Sequence, residues 1–317
     1  MNFRTEIKIP ESRIKIEHYN KILTIGSCFA ENIAELFKFY LFDVFENPFG
    51  VLYNPASVYN AVKAVYDSKM FGRDDLIFHA GEWHSFYHHS DFSHHRADEC
   101  IDRINSRTSE VKGFVKECGW VIISLGTSFI YKHTGKNIIV SNCHKIPAAQ
   151  FEKIFLAQED SEEYLLSSVK LLKKMNPDLK IILTVSPVRH IKDGFAENQL
   201  SKSSLIVAAH NVAGKEDNCF YFPAYEIMMD DLRDYRFYEK DLLHPNKMAV
   251  EYIWEKFSGS YFSGSCRDTL KEIEPYSRGK QHRLRDTDSP AAKKFISDLA
   301  ILSERLMEKY PYIKIEE

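Results

Sequence analysis

The feature that most constrains this chain is an alternation of short apolar runs, rich in β-branched residues, with segments of helical periodicity. The apolar runs occupy residues 22–25, 120–128 and 180–187. Helical patterns cover residues 56–66 and 198–212. Strands and helices that alternate with short connections are typical of a parallel sheet covered by helices on both faces. The sequence therefore predicts an α/β fold with a doubly wound parallel sheet.

The remaining segments extend this pattern and indicate a division of the chain. Composition shifts after about residue 260, where a linker-like joint precedes a charged stretch and a last amphipathic helix. We predict an α/β domain over residues 1–259, with an insertion at about 70–118 that is rich in histidine and aromatic residues. Residues 260–317 are predicted as a C-terminal helical extension packed on that domain. Smaller elements are predicted as a strand or extended edge at 42–55, a hairpin at 129–140, a helix at 150–175, a strand leading into a helix at 219–227, and helices at 246–258 and 289–309.

Composition and charge argue against several classes of protein. The chain has 317 residues and a formal net charge of −3, whereas nucleic-acid-binding domains are usually strongly basic. No apolar stretch is long enough to span a bilayer, and the charged N-terminal segment does not resemble a secretory signal. The six cysteines are scattered and form no C-x-x-C pair. We therefore expect a cytoplasmic protein with reduced thiols, no zinc site, no membrane span and no nucleic-acid partner.

The junction at Gly26 and Ser27 joins the first strand to a helix and gives Ser27 two alternative roles. Serine is a favoured N-cap residue, but open α/β sheets also place their ligands at the C-terminal ends of strands. A nucleophilic serine needs a base, and the best candidate is His244, three residues after Asp241. At that spacing the carboxylate can hydrogen-bond one imidazole nitrogen and leave the other to face a serine. The D-x-x-H spacing is weak evidence alone, but the order Ser, Asp, His is informative.

This combination resembles the SGNH/GDSL hydrolases, which have a serine after the first strand and D-x-x-H near the end of the domain. Within that superfamily the chain resembles the GSCFA family, named for the pentapeptide at residues 26–30. The resemblance covers residues 22–258 and implies a three-layer α/β/α, flavodoxin-like fold. It is carried by the segments NPFGVLYNP (47–55), LGTSFIY (125–131), NCHK (142–145), SPVRH (186–190), YFPAYE (221–226), LRDYRFY (232–238) and DLLHPN (241–246).

The resemblance implies a catalytic triad. Ser27 is the expected nucleophile, His244 the general base and then the general acid, and Asp241 the residue that orients the imidazole. The implied enzyme is a serine esterase or deacylase that acts on an ester or acetyl group of a small molecule or glycan through an acyl-enzyme. This mechanism requires no cofactor and no metal. An acyltransferase, in which a sugar hydroxyl replaces water, would use the same triad.

The resemblance also implies an oxyanion hole, the group of hydrogen-bond donors that stabilises the tetrahedral intermediate. Gly50 matches the glycine that supplies one of these donors in the superfamily. Where the superfamily has an asparagine, this chain has Ser128. Either the Ser128 hydroxyl or the amide of Asn142 is expected to replace it. This departure favours the alternative that the chain is a binding module on a retained hydrolase fold.

Cys28 is a second nucleophile beside Ser27, and a thiol is intrinsically the better one. Adjacent residues at the turn between a strand and a helix point in different directions. Because cysteine is among the most commonly buried residues, we interpret Cys28 as a core residue.

Six of the 13 histidines fall within residues 78–95, where His84, His88 and Asp91 are close in sequence. Imidazole and carboxylate groups suit zinc, iron or nickel, but the spacing matches no defined ligand motif. We interpret the segment as a polar, aromatic loop that covers the catalytic edge and not as a metal site. Arg189 and His190 follow a strand and either line the pocket or simply end that strand.

Overall fold

The structure is a computed structural model that describes residues 5–283 and 286–315. The strands are β1 (Ile22–Gly26), β2 (Val44–Glu46), β3 (Leu76–His79), β4 (Glu82–Ser85), β5 (Trp120–Leu125), β6 (Phe129–His133), β7 (Ile138–Val140), β8 (Phe151–Phe155), β9 (Lys180–Val185) and β10 (Cys219–Phe222). The helices are α1 (Cys28–Phe39), α2 (Pro55–Tyr66), α3 (Ala97–Glu117), α4 (Gln158–Met175), α5 (Phe195–Lys215), α6 (Ala224–Glu226), α7 (Lys247–Tyr261), α8 (Gly264–Gln281) and α9 (Pro290–Lys309). Within these described ranges, no helix has the length and apolar character needed to cross a membrane.

Five parallel strands form the central sheet, in the order β10-β9-β5-β1-β2. β1 lies between β5 and β2, so Ile22 pairs with Trp120 on one side and with Val44 on the other. Helices pack on both faces, and the predicted three-layer α/β/α fold is confirmed. The strand order has the 2-1-3-4-5 form of flavodoxin-like folds, in which ligands bind at the switch point between the first and third strands. In this chain that point lies between β1 and β5.

Alternate residues of the strands supply two separate hydrophobic cores. Leu23 of β1 and Val121 of β5 face the layer formed by α2, α3, α4 and α5. Ile22 and Trp120 face the opposite layer, formed by α1, α7 and α8. Because successive side chains of a strand point to opposite faces, Ser124 also faces α1. The start of α1 therefore lies over the end of β5.

A glycine is required where β1 ends. Gly26 has φ +138°, and a Cβ atom placed there would lie 2.0 Å from the carbonyl oxygen of Ser124. This close approach lets the N–H of Ser27 donate to the same carbonyl across 2.9 Å. The chain then turns directly into α1, whose N-cap is Ser27.

Two elements have bounds in the structure that differ from those predicted. The helix predicted over 150–175 is wrong at its start, because residues 151–155 form β8 and only residues 158–175 are helical. β8 pairs with β6 and extends the predicted hairpin into a three-stranded antiparallel sheet. The strand predicted over 120–128 ends at Leu125, because the N–H groups of Gly126 and Thr127 both donate to the carbonyl of Tyr53, at 2.7 and 3.0 Å.

The predicted joint after residue 260 is also helical. α7 continues to Tyr261, and α8 begins at Gly264, where the hydroxyl of Ser263 caps the helix by accepting the N–H of Cys266 at 3.0 Å. α8 and α9 share a small core that includes Ile273 and Leu306. The charged stretch predicted between the two helices includes residues 284–285, which lie outside the described residues. The division of the chain at 259/260 remains a prediction.

We expect Gly26→Ala to destabilise the fold by about 3 kcal/mol or more, because it combines an unfavourable φ with a clash against backbone atoms. Gly81→Ala is the matched control: Gly81 also has a positive φ, +89°, but nothing lies within 4 Å of its added Cβ. We expect this control to lose only about 1–2 kcal/mol, from strain alone. Urea unfolding of both variants measures the difference. Equal losses would contradict the proposed close approach.

Candidate active site

The segments that contain predicted functional residues follow neighbouring strands at the C-terminal edge of the central sheet. Ser27 follows β1, Gly126 follows β5, and residues 186–190 follow β9. The loop that carries His244 reaches the same edge, because the N–H of Arg189 donates to the carbonyl of Leu243 across 3.4 Å. The edge therefore gathers segments that lie more than 200 residues apart in the sequence.

Asp241 and His244 form the hydrogen bond that their spacing predicts. Oδ2 of Asp241 lies 2.6 Å from Nδ1 of His244, and both side chains are about half exposed. Oδ1 accepts the backbone N–H groups of His244 and Leu243, at 3.0 and 2.9 Å. These two backbone bonds and the imidazole together lower the pKa of Asp241 to about 2. Asp241 is thus a fixed anion, and Nε2 of His244 remains available.

Ser27 does not present its hydroxyl to this pair. Its side chain is wholly buried, and Oγ lies 2.9 Å from Oγ of Ser124 beneath α1. The serine does not cap α1 through its side chain either. Within the described residues no hydrogen bond joins Ser27 to His244. The catalytic role of Ser27 therefore remains a prediction that its observed orientation does not support.

Cys28 is the first residue of α1, and the prediction that it lies in the core is wrong. Its side chain is only partly buried. Burial still raises the pKa of the Cys28 thiol, the Glu31 carboxylate raises it further, and the Lys202 ammonium lowers it. The backbone N–H groups of Cys28 and Phe29 also favour the thiolate. A thiol in this position needs a base to react at neutral pH.

Two predicted oxyanion donors, Gly50 and Ser128, are engaged elsewhere, and Asn142 takes part in a turn through its oxygen. The N–H of Gly50 donates to the carbonyl of Asn47 at 2.7 Å. The Ser128 hydroxyl is wholly buried and donates to Oγ of Ser201 at 3.1 Å. Oδ1 of Asn142 accepts the N–H of His144 at 2.8 Å in a tight turn. The structure therefore does not gather these three groups around Ser27, and their roles remain predictions.

Lys202, a wholly buried lysine on α5, is a further residue of this region that was not predicted from the sequence. Its ammonium donates to the carbonyl of Ser186 at 2.7 Å, and burial lowers the pKa of Lys202 to about 7. The residue lies on the buried face of α5 with Leu205 and Ala209, at a helical spacing of three and seven. A lysine at an apolar position of a helix was the signal that could have identified it.

Burial lowers the pKa of His190 to about 3, and the nearby charges of Lys202 and His244 add to this effect. The ring is therefore neutral at physiological pH. Its Nε2 atom is buried and has no hydrogen-bond partner among the described residues. The ring packs edge-on against Tyr53, with centroids 5.4 Å apart. His190 thus belongs to the edge of the sheet and presents an unused polar atom there.

Two cavities lie along α1. One has a volume of about 620 Å³, and its wall includes Glu31 and Gly50 together with Asp91 and Arg103 of the predicted insertion. The other has a volume of about 770 Å³, lies between α1 and α7, and includes Pro245. Neither is lined by Ser27, Cys28 or His244.

The histidine-rich insertion packs against this edge. A Cβ atom on Gly50 would lie 2.1 Å from Cβ of His89, so the insertion directly covers the loop after β2. The rings of His84 and His144 stack at 4.6 Å, and the ring of His88 bonds Ser85 at 2.8 Å. In the part of the chain that is described, no group of three or more His, Cys, Asp or Glu side chains is arranged to hold a metal.

Comparison with known proteins gives one family and a set of distant structures. The model of the GSCFA family matches residues 21–257. No curated protein matches the chain. Among solved structures, a carbohydrate esterase family 3 protein from Talaromyces cellulolyticus is 8% identical, with a TM-score of 0.36 over 80% of this chain and 99% of that one. A family 3 carbohydrate esterase from Clostridium thermocellum is 9% identical, with a TM-score of 0.34 over 81% and 99%.

The low pKa of Asp241 gives a direct test of the Asp241–His244 geometry. The folded-state pKa is depressed, so the bonds to this carboxylate stabilise the fold above about pH 4, and this contribution is lost as the pH falls towards 2. We expect the ¹³Cγ signal of Asp241 to change little between pH 6 and about pH 3, where an ordinary aspartate titrates. NMR of aspartate-labelled protein measures it.

His244→Ala is the matched variant for this titration. It removes the imidazole bond but leaves the two backbone N–H bonds, which are the larger causes of the low pKa. We expect the titration of Asp241 to move to higher pH and to remain below the ordinary range. A wild-type midpoint near pH 4 would show that the loop does not hold the carboxylate as described.

Proposed function

The chain belongs to the GSCFA family, and we propose that it is an acyl hydrolase, an esterase or deacylase that cleaves an ester or acetyl group. Its base is His244, oriented by Asp241, and its nucleophile is a residue of the turn between β1 and α1. The observation that carries this proposal is the 2.6 Å hydrogen bond between Asp241 and His244 at the C-terminal edge of the sheet. Ligands of open α/β folds bind at that edge.

The arrangement supports a two-step reaction. Nε2 of His244 takes the proton of the nucleophile, which attacks the carbonyl carbon of the substrate. The leaving alcohol or amine then departs with that proton from His244. In the second step Nε2 takes a proton from water, the water oxygen attacks the acyl-enzyme, and the nucleophile regains the proton. The Asp241 carboxylate stabilises the imidazolium that forms in both steps.

Backbone N–H groups at the start of α1 are the best candidates for oxyanion donors. The first N–H groups of a helix have no partner within the helix and lie at the positive end of its dipole. In α1 these include the N–H groups of Cys28 and Phe29, which already favour a negative charge beside them. They support the hydrolase proposal even though Gly50 and Ser128 donate to other groups.

A binding module without catalytic activity is the second candidate. It is favoured by the engagement of Gly50 and Ser128 in other hydrogen bonds. It is also favoured by the burial of the hydroxyl of Ser27, the residue that the sequence predicts as nucleophile. The pair of Asp241 and His244 favours the hydrolase over this candidate, because binding alone requires neither a free imidazole nitrogen nor an orienting carboxylate.

Hydrolysis of p-nitrophenyl acetate by the wild type and by His244→Ala tests the proposal. Loss of the general base is expected to lower kcat/KM by about a hundred- to ten-thousand-fold. Asp241→Asn is expected to lower it as well, because the imidazole loses its orienting partner. Released p-nitrophenolate, measured by absorbance, gives the rates.

His282→Ala is the control, because His282 is an exposed histidine just beyond α8. We expect its kcat/KM to equal that of the wild type. Thermal unfolding of all the variants verifies that they are folded. If the folded wild type hydrolyses the ester no faster than His244→Ala, the chain is not an acyl hydrolase for this substrate and the binding-module alternative gains support.

A further inference from the structure

We propose that the nucleophile of this enzyme is the sulfur of Cys28 and not the hydroxyl oxygen of Ser27, so that the acyl-enzyme is a thioester. The inference rests on the proposed acyl-hydrolase function and specifies its attacking atom. It is carried by four observations on the described residues: the exposure of the two side chains, the backbone N–H groups around the sulfur, a buried cation, and an unused imidazole nitrogen.

The side chains of Ser27 and Cys28 differ in exposure. Ser27 is 0% exposed, and its hydroxyl is bonded to Ser124 on the inner side of α1. To attack a substrate, that hydroxyl would have to leave its partner and become exposed. Cys28, one residue later, is partly exposed and lies on the first turn of α1. Of these two neighbouring nucleophiles, Cys28 is therefore the exposed one.

The backbone around Cys28 favours a negative sulfur. α1 has 12 residues, and Cys28 is its first, so its sulfur lies beside N–H groups that have no partner within the helix. The N–H groups of Cys28 and Phe29 act on the thiol in that direction. Thiolates at helix N-termini are stabilised in the same way. The same N–H groups would then stabilise the oxyanion of a substrate attacked by that sulfur.

Lys202 supplies the charge partner of this sulfur. Its ammonium is wholly buried, and it interacts electrostatically with both Cys28 and His190. A buried cation is costly unless an anion or dipoles compensate it. Lys202 has one such dipole, the carbonyl of Ser186. A thiolate at Cys28 would stabilise the charged form of Lys202, and Lys202 would stabilise the thiolate, so we assign Lys202 as a positioning residue.

The Nε2 atom of His190, which has no hydrogen-bond partner among the described residues, is the second polar group at this edge of the sheet. It would lie 3.0 Å from a Cβ atom on Gly126, beside the ring of Tyr53. Tyr53 in turn interacts electrostatically with Cys28. Pairwise interactions therefore connect Cys28 with Tyr53 and Lys202, and His190 with the same two residues. A buried nitrogen without a partner beside these residues is expected to bind a polar atom of the substrate.

The chemical step has a simple balance. Nε2 of His244 takes the proton of the Cys28 thiol, and the sulfur forms a bond to the acyl carbon of the ester. The bond from that carbon to the alcohol oxygen breaks, and the alcohol leaves with the proton from His244. Water then attacks the thioester, its proton passes through His244 to the sulfur, and a carboxylic acid and the free thiol result. No oxidant, metal or cofactor enters the balance.

The first test compares p-nitrophenyl acetate hydrolysis by Cys28→Ala with hydrolysis by Ser27→Ala/Ser124→Ala. The double variant removes both partners of one buried hydrogen bond, so neither hydroxyl is left unpaired. If Cys28 is the nucleophile, Cys28→Ala falls to the rate of His244→Ala, whereas the double variant still forms an acetyl thioester on Cys28, detected by mass spectrometry after acid quench. Treatment with hydroxylamine removes that acetyl group.

The outcomes distinguish the inference from the proposed function. Activity that survives in Cys28→Ala and is lost in the serine double variant would overturn the inference and leave an acyl hydrolase that uses Ser27. Wild-type activity no higher than that of His244→Ala would overturn the proposed function itself. Thermal unfolding identifies any variant that is not folded, and Cys28→Ser then serves as the replacement for Cys28→Ala.

The second test follows the alkylation of Cys28 by iodoacetamide against pH. The rate is read from the mass of the peptide, with Cys143, another partly buried thiol, as the internal control. Glu31→Gln removes a negative charge that raises the pKa of Cys28, so its alkylation midpoint is expected at lower pH. Lys202→Met removes a positive charge, so its midpoint is expected at higher pH. If both variants titrate as the wild type does, Lys202 is not a positioning residue for Cys28.

Discussion

The contact between Gly26 and the carbonyl of Ser124 determines where the rest of the candidate site lies. It brings the end of β1 against β5 so closely that no side chain fits between them. The chain therefore enters α1 within one residue, with the hydroxyl of Ser27 buried against Ser124 and Cys28 partly exposed. The glycine at this position thus fixes the backbone from which both residues project.

Burial is the second constraint on the chemistry at this edge. It lowers the pKa of His190 and of Lys202 and raises that of Cys28, so each of these groups is shifted towards its neutral form. Asp241, by contrast, is exposed and held as an anion by backbone N–H groups. The edge therefore combines a largely uncharged interior with one permanent carboxylate at its rim. The imidazole of His244, about half exposed, is hydrogen-bonded to that carboxylate.

The fold could be predicted from the sequence because its signals are local. Apolar runs identified the strands, and a D-x-x-H spacing predicted the hydrogen bond between Asp241 and His244. The side-chain directions at residues 27 and 28 could not be predicted, because they depend on the approach of β5, which is almost 100 residues away in the sequence. β8 was missed for a similar reason, since its partner β6 determines its conformation more than its own composition does.

The C-terminal helices have a consequence for the other end of α1. The hydroxyl of Ser277 in α8 donates to the carbonyl of Phe39, the last residue of α1, while β5 fixes the first. α1 is thus a rod about 18 Å long that is fixed at both ends by different parts of the chain. Adding or removing one residue within it would rotate one end by about 100° relative to the other. The spacing between Cys28 and Phe39 is therefore restricted in length, whatever residues occupy the positions between them.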